Sequence, residues 1–173
     1  MGMTVVVAAR KDNSTSSAAL DTDRVPFQTL LSQVTVLLLS LPLTPTTKNL
    51  ISAAELALLP ECAIIVNVSR GGIVDEPAVM AALRQRQIFG YGTDVLAKEP
   101  AGSSDDSVLL APDIDMHGGK LNLVVTPHVG WFGSSTMLAT ERLTARHVRE
   151  CADKSNAGEG VVLPRDWARD HLP

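Results

Sequence analysis

Four side chains in this 173-residue chain have the types and the placement for acid–base and anion chemistry. Arg70 follows the apolar run Ile64-Ile65-Val66-Asn67-Val68 by way of Ser69 and precedes Gly71-Gly72. A guanidinium at a strand tip can fork onto a carboxylate through two parallel hydrogen bonds. Paired glycines would let a ligand approach the backbone with no Cβ in the way. His128 lies in Thr126-Pro127-His128-Val129-Gly130, and an imidazole can give or take a proton near neutral pH. Glu99, just before Pro100, is a carboxylate that could hold that imidazole in one tautomer. Asp94 closes the run Gly90-Tyr91-Gly92-Thr93. Taken singly, Arg70 also reads as a surface arginine beside a turn, His128 as a loop histidine and Glu99 as a solvated charge. Their joint placement carries the weight.

The elements that must position them follow from the pattern. Short β-branched or apolar runs predict strands over Thr4–Ala8, Val34–Ser40, Ala63–Val68, Gly90–Val95 and Leu123–Thr126. Phe27–Gln33 reads as a short helix. Ser52 and Glu55 have capping-box spacing and open a helix through Leu59, which Pro60 stops. Asp75 can cap the next helix, with Pro77 tolerated in its first turn and Val79 and Leu83 sharing a face, out to about Gln87. Ser134–Cys151 predicts a further helix, with Met137, Leu138, Leu143 and Val148 available for an apolar face. Lys11–Thr22 and Lys98–Asn122 read as loops, the latter long and irregular. Strands alternating with helices predict a parallel sheet covered on both faces. Ligands then sit beyond the carboxyl ends of the strands, where Arg70, Asp94 and His128 converge from distant parts of the chain.

Composition removes several alternatives. A net charge of −4 without a long basic run argues against non-specific nucleic-acid binding, and 3% aromatic residues leave no stacking platform for single strands. The longest apolar stretch, Val34–Leu43, is too short to span a bilayer. Cys62 and Cys151 fit neither a metal spacing nor a disulfide framework and read as reduced packing residues of a cytoplasmic protein. No metal site is expected.

Three ordered stretches resemble the D-isomer-specific 2-hydroxyacid dehydrogenase family: Asn67 to Glu76, Gly92 to Pro100, and Thr126 to Gly130. A fourth, Leu41-Pro42-Leu43-Thr44-Pro45-Thr46-Thr47 with Leu50-Ile51, resembles the segment the family carries upstream, and Gly2-Met3-Thr4-Val5 is similar to the start of its second nucleotide-domain strand. The resemblance covers roughly residues 2 to 150 and is nearest to glyoxylate, hydroxypyruvate or glycerate enzymes. It implies an NAD(P)-dependent oxidoreductase acting on the CH–OH group of small 2-hydroxy or 2-oxo acids. Arg70 would bind the substrate carboxylate, His128 would protonate the carbonyl oxygen and Glu99 would orient His128. Asp94 would hold the cofactor carboxamide, while Pro42, Thr47, Val68, Ser69 and Gly130 would line the cofactor's path. A homodimer is implied for an intact protein.

The chain departs from the family in three ways. The fingerprint Gly-x-Gly-x-x-Gly is missing, since Gly90-x-Gly92 has Val95 in the third place and Gly158-x-Gly160 has Leu163. The expected fold is therefore α/β: a partial Rossmann-like doubly wound parallel sheet lacking its first strand, first helix and the substrate domain. Residues 1–154 would be the C-terminal portion of the dinucleotide-binding domain and 155–173 a tail. Without the central strand, Thr4–Ala8 and Val34–Ser40 lose a shared neighbour, leaving a gap of about 10 Å. Such a chain should bind cofactor poorly and turn over little; a nucleotide-sensing corepressor-like scaffold and a non-functional fragment are the alternatives. Second, the tip of the first strand carries Arg10 where an acidic residue would accept the ribose hydroxyls of NAD, which favours NADP. Third, the spacer between Glu99 and His128 is long for the family.

Overall fold

The computed structural model describes residues 2–11, 24–111 and 120–156. Most of the loop expected from Lys11 on, the middle of the Lys98–Asn122 spacer and the tail from residue 157 lie outside the described residues. The chain divides into one unit up to Gly130 and a second from Trp131 on.

In the first unit six parallel strands form two sheets. β1 (Val7–Ala8) pairs with β2 (Arg24–Val25), a strand the sequence pattern does not announce. β3 (Val36–Leu39), β4 (Ile64–Asn67), β5 (Gly90–Thr93) and β6 (Leu123–Val125) form the second sheet in that order. Among the described residues β1 and β3 have no common neighbour, as the missing central strand predicts. The unit is thus α/β, with both sheets parallel. β1 is correspondingly shorter than the run Thr4–Ala8, and Val5, Val6 and Val7 stay exposed.

Among the described residues this unit carries α1 (Phe27–Gln33), α2 (Ala53–Leu56), α3 (Glu76–Arg84) and a 3₁₀ helix at Val108–Leu110. Their starts obey local chemistry. Glu55 accepts from both the backbone N–H (3.1 Å) and the hydroxyl (2.7 Å) of Ser52. Asp75 caps α3 by accepting from the Ala78 N–H at 3.1 Å, with Pro77 in the first turn, where no intrahelical donor is needed. α3 closes when Arg86 turns left-handed (φ 56°) and the Gln87 N–H reaches back to the Ala82 carbonyl at 2.8 Å.

The core lies on one face of the four-stranded sheet. Leu37, Leu39, Ile65 and Tyr91 point into it and meet Leu31, Ile51, Leu56, Ile73, Val79 and Leu83. On the other face Val36, Leu38 and Val124 are exposed, whereas the apolar runs predict burial on both faces. The packing expectation for the cysteines does not hold either: Cys62 and Cys151 are free and exposed, set in a turn and on a helix surface.

The second unit holds α4 (Ser134–Asn156), with Trp131 and Phe132 edge-to-face before it. Its Met137, Leu138, Leu143 and Val148 are exposed. No helix among the described residues is long and apolar enough to cross a membrane.

Ile65 is fully buried at the centre of the pairing between β3, β4 and β5. Ile65→Ala is expected to lower stability by about 2–5 kcal/mol, read from urea unfolding curves.

Candidate active site

The register of the four-stranded sheet sets the site's level. Leu39, Asn67 and Thr93 are direct neighbours across β3, β4 and β5, and Thr93 faces Val125 of β6. The strands end together, so the segments holding Pro42 and Thr47, Arg70, Asp94 and Glu99, and His128 all leave from one carboxyl edge.

The Arg70 turn is shaped by Asn67, which is buried at the end of β4. Its carboxamide oxygen accepts from the Ser69 N–H (3.2 Å) and hydroxyl (2.9 Å), and its NH2 donates to the Arg70 carbonyl at 3.0 Å. Arg70 is exposed and its guanidinium donates to the Ser69 carbonyl at 2.7 Å. Val68 is exposed beside it. Gly71 and Gly72 have other duties than admitting a ligand. A Cβ on Gly71 would lie 1.8 Å from the Leu96 carbonyl oxygen, so the turn seats directly on the next loop. Gly72 takes a left-handed φ of 79°, and its carbonyl accepts from the Asn49 N–H at 2.8 Å, joining the turn to the Pro42–Thr47 segment. There the Thr47 hydroxyl donates to the Pro42 carbonyl at 2.8 Å and accepts from the Thr44 N–H at 2.7 Å.

Asp94 is a buried carboxylate that gathers the His128 loop. One oxygen accepts from the Thr126 hydroxyl (2.5 Å) and the Val129 N–H (3.0 Å), the other from the Gly130 N–H (2.8 Å). A side chain at position 130 would press on that second oxygen, with a Cβ 2.9 Å away. Burial raises the Asp94 carboxyl, but the Thr126 hydroxyl, the two N–H donors and the His128 ring outweigh it and hold it below the ordinary aspartate value.

His128 sits at a left-handed φ of 54°, uncommon for a residue with a Cβ. Its Nδ1 meets a Glu99 oxygen at 2.7 Å, across the long spacer. The other Glu99 oxygen accepts from the Leu96 N–H at 2.8 Å. Burial raises the Glu99 carboxyl, and the Leu96 N–H and the His128 ring more than reverse that, leaving it below its ordinary value. Nδ1 faces the carboxylate, so Nε2 is the ring nitrogen that could give or take a proton.

The structure therefore stitches together the segments of Pro42, Thr47, Ser69, Arg70, Asp94, Glu99, His128 and Gly130. Arg10 stands apart, two residues beyond β1 in the smaller sheet, exposed. The motif reading included Asn67 and Glu76 at the ends of one stretch but gave neither a role; the buried carboxylate of Glu76 accepts from the Ala97 N–H at 2.6 Å and the Ser107 hydroxyl at 2.7 Å. Asn67 had a signal, since an amide at a strand end before Ser is a turn former. Glu76 had none, because its partners lie 21 and 31 residues away.

A family model described as D-isomer specific 2-hydroxyacid dehydrogenase, NAD binding domain, matches residues 1–130. The chain belongs to this family. Among its relatives, a glycerate dehydrogenase from Methylorubrum extorquens is 42% identical over 113 residues, 65% of this chain and 33% of the relative. A glyoxylate/hydroxypyruvate reductase B from Erwinia tasmaniensis is 34% identical over 129 residues, 75% of this chain and 37% of that one. The solved D-isomer specific 2-hydroxyacid dehydrogenase from Xanthobacter autotrophicus Py2, in complex with NADPH and MES, superimposes with a TM-score of 0.61 at 35% identity, covering 80% of this chain and 52% of that one. The chain thus spans about a third to a half of the length of the dehydrogenases it matches. Among the described residues no group of three or more His, Cys, Asp or Glu is placed to hold a metal ion.

The sign of the Asp94 shift fixes a pH dependence in this dehydrogenase domain. Its folded value is depressed, so its hold on the His128 loop is present above the ordinary aspartate range and lost as pH falls through the lower folded value. Protection of the Val129 and Gly130 amides against hydrogen exchange, taken relative to the intrinsic rate at each pH, should stay high into mild acid and fall below it. Asp94→Asn should lower that protection about ten- to hundredfold already at neutral pH, the worth of a hydrogen bond to a charged group, and abolish the acid step.

Proposed function

We propose that this chain is the cofactor-binding portion of an NAD(P)-dependent oxidoreductase that reduces a small 2-oxo acid to the D-2-hydroxy acid. The observation that carries the reading is the 2.7 Å pair of His128 Nδ1 and Glu99, on the same sheet edge as Arg70. A bound nicotinamide cofactor supplies the hydride. His128 delivers a proton from Nε2 to the carbonyl oxygen as negative charge develops there, and Glu99 keeps Nδ1 occupied so that Nε2 faces the substrate. Arg70 swings from the Ser69 carbonyl to bind the substrate carboxylate with both arms of its guanidinium. Glyoxylate and hydroxypyruvate are the proposed substrates, supported by the names of the relatives.

NADP is the proposed cofactor. Arg10 is exposed at the strand tip, with Lys11 engaged by Glu55 at 2.8 Å and the Arg24 guanidinium donating to the Ala8 carbonyl at 3.2 Å, and it is the proposed cation for a 2′-phosphate. The nicotinamide end fits the residues present, through Asp94 and the Pro42–Thr47 segment. The pyrophosphate end has no glycine-rich cradle within these 173 residues, so dinucleotide affinity of this chain alone is proposed to be weak. A cytosolic location is proposed on the two free cysteines, and a homodimer on the family resemblance.

In a full-length form with an amino-terminal portion restored, NADPH should drive reduction of glyoxylate or hydroxypyruvate. His128→Gln should lower kcat by about 10²–10⁴-fold, while Arg70→Ala should chiefly raise KM. An unchanged rate in the His128 variant sinks the reading. Arg10→Asp should move the cofactor preference from NADPH toward NADH, measured as the ratio of the two kcat/KM values.

A further inference from the structure

We propose that Glu76, at the start of α3, is a positioning residue: it fixes the Leu96–Ala97 peptide so that Glu99 meets His128. Two contacts meet on that peptide and a third on the amide just before it. The Ala97 N–H donates to one Glu76 oxygen at 2.6 Å. The Leu96 carbonyl lies against Gly71, at the place a Cβ would occupy, 1.8 Å from its ideal position. The preceding Leu96 N–H donates to Glu99 at 2.8 Å. Two successive amides are thus taken by two different glutamates, and the carbonyl between them is held by the Arg70 turn.

Glu76 is buried, and its second oxygen accepts from the buried Ser107 hydroxyl at 2.7 Å. A buried carboxylate is costly unless both oxygens find donors, and here both do. Ala or Leu at this helix position would cap nothing. The carboxylate ties the site to α3, an element rigid enough to set its geometry. Around Glu99 itself stand the His128 ring and the Leu96 N–H as attractive partners and the Asp94 charge as a repulsive one. Lys98, the nearest cation in sequence, is engaged by Asp106. Leu96 joins the two peptides, so a shift of the Leu96–Ala97 peptide moves the Leu96 N–H relative to Glu99 and with it the aim of Glu99 at His128. The catalytic meaning of this link rests on the dehydrogenase reading; the link itself does not.

The test is a titration of the Glu99 side-chain carboxyl carbon by NMR in the ¹³C-labelled chain. Wild type is compared with Glu76→Ala, Glu76→Gln and Ser107→Ala. Positioning requires the Glu99 midpoint to rise toward the ordinary glutamate value in Glu76→Ala. It should not rise in Glu76→Gln, whose amide oxygen still accepts from Ala97. Ser107→Ala should give a smaller rise. The sign discriminates: loss of the Glu76 carboxylate without movement of the loop would not raise the Glu99 midpoint. A midpoint unchanged or lowered in a folded Glu76→Ala overturns the proposal, as does an equal rise in the Ala and Gln variants. If Glu76→Ala does not fold, Ser107→Ala decides, a rise supporting the link and no change refuting it. In the restored full-length form, Glu76→Ala should lower kcat with little change in KM, and Glu76→Gln should recover it. Absence of turnover in the wild type with the Glu99 titration as expected would overturn the dehydrogenase reading and leave the Glu76–Glu99 link standing.

Discussion

The common register of four parallel strands is the constraint on which the site depends. Leu39, Asn67 and Thr93 face one another, and Thr93 faces Val125, so the strands stop at one level. A slip of one residue in β4 would turn Ile65 and Asn67 from the core to the open face. The slip would displace Arg70 by one strand step, about 3.3 Å, relative to His128. Because Ile65, Leu37 and Tyr91 are buried together on one face, that slip is prohibited by the core rather than by any residue of the site. Placement of the chemistry is therefore a by-product of hydrophobic alternation.

Beyond the strand ends the chain has no ladder to hold it, and acidic side chains take over. Asp75 caps α3, and Glu55 folds back on Ser52. Glu76 holds Ala97, Glu99 holds Leu96, and Asp94 holds Val129 and Gly130. Each carboxylate accepts backbone N–H donors that loops would otherwise leave unpaired. An ionised carboxylate suits this task because both oxygens accept, whereas an amide offers one acceptor and a donor that itself needs a partner. This accounts for the presence of buried acids in an edge that is proposed to bind anions. Much of their charge is taken up by amides, and Arg70 lies exposed on the same edge.

Much of this was legible in the residues. Alternation of apolar runs with capped helices located the four strands of the larger sheet, and Asp75 and Glu55 act as their spacing requires. What was not legible depends on partners remote in sequence. β2 has two residues and no pattern to find. Gly71 looked like room for a ligand, yet its space is filled by the Leu96 carbonyl, 25 positions on. The runs around Val36, Leu38 and Val124 look buried on both faces, but periodicity cannot say which faces the rest of a unit will cover. The cysteines show the same limit in reverse, since residue type suggested burial where a turn and a helix surface hold them in the open.

Asp94 shows how one residue can serve both the loop and a cofactor. A carboxylate offers about four lone-pair directions. Thr126 and Val129 occupy two on one oxygen, and Gly130 occupies one on the other. One direction remains, on the oxygen that Gly130 must approach closely and that a side chain at position 130 would crowd. A cofactor carboxamide N–H, the partner proposed for Asp94, requires just one acceptor. The same three bonds hold His128 at its left-handed φ, a conformation that costs about 1–3 kcal/mol unless its surroundings fix it. On the proposed reading, the group that would fix the nicotinamide ring is the one that fixes the segment bearing the imidazole, so hydride donor and proton donor would share a single reference point.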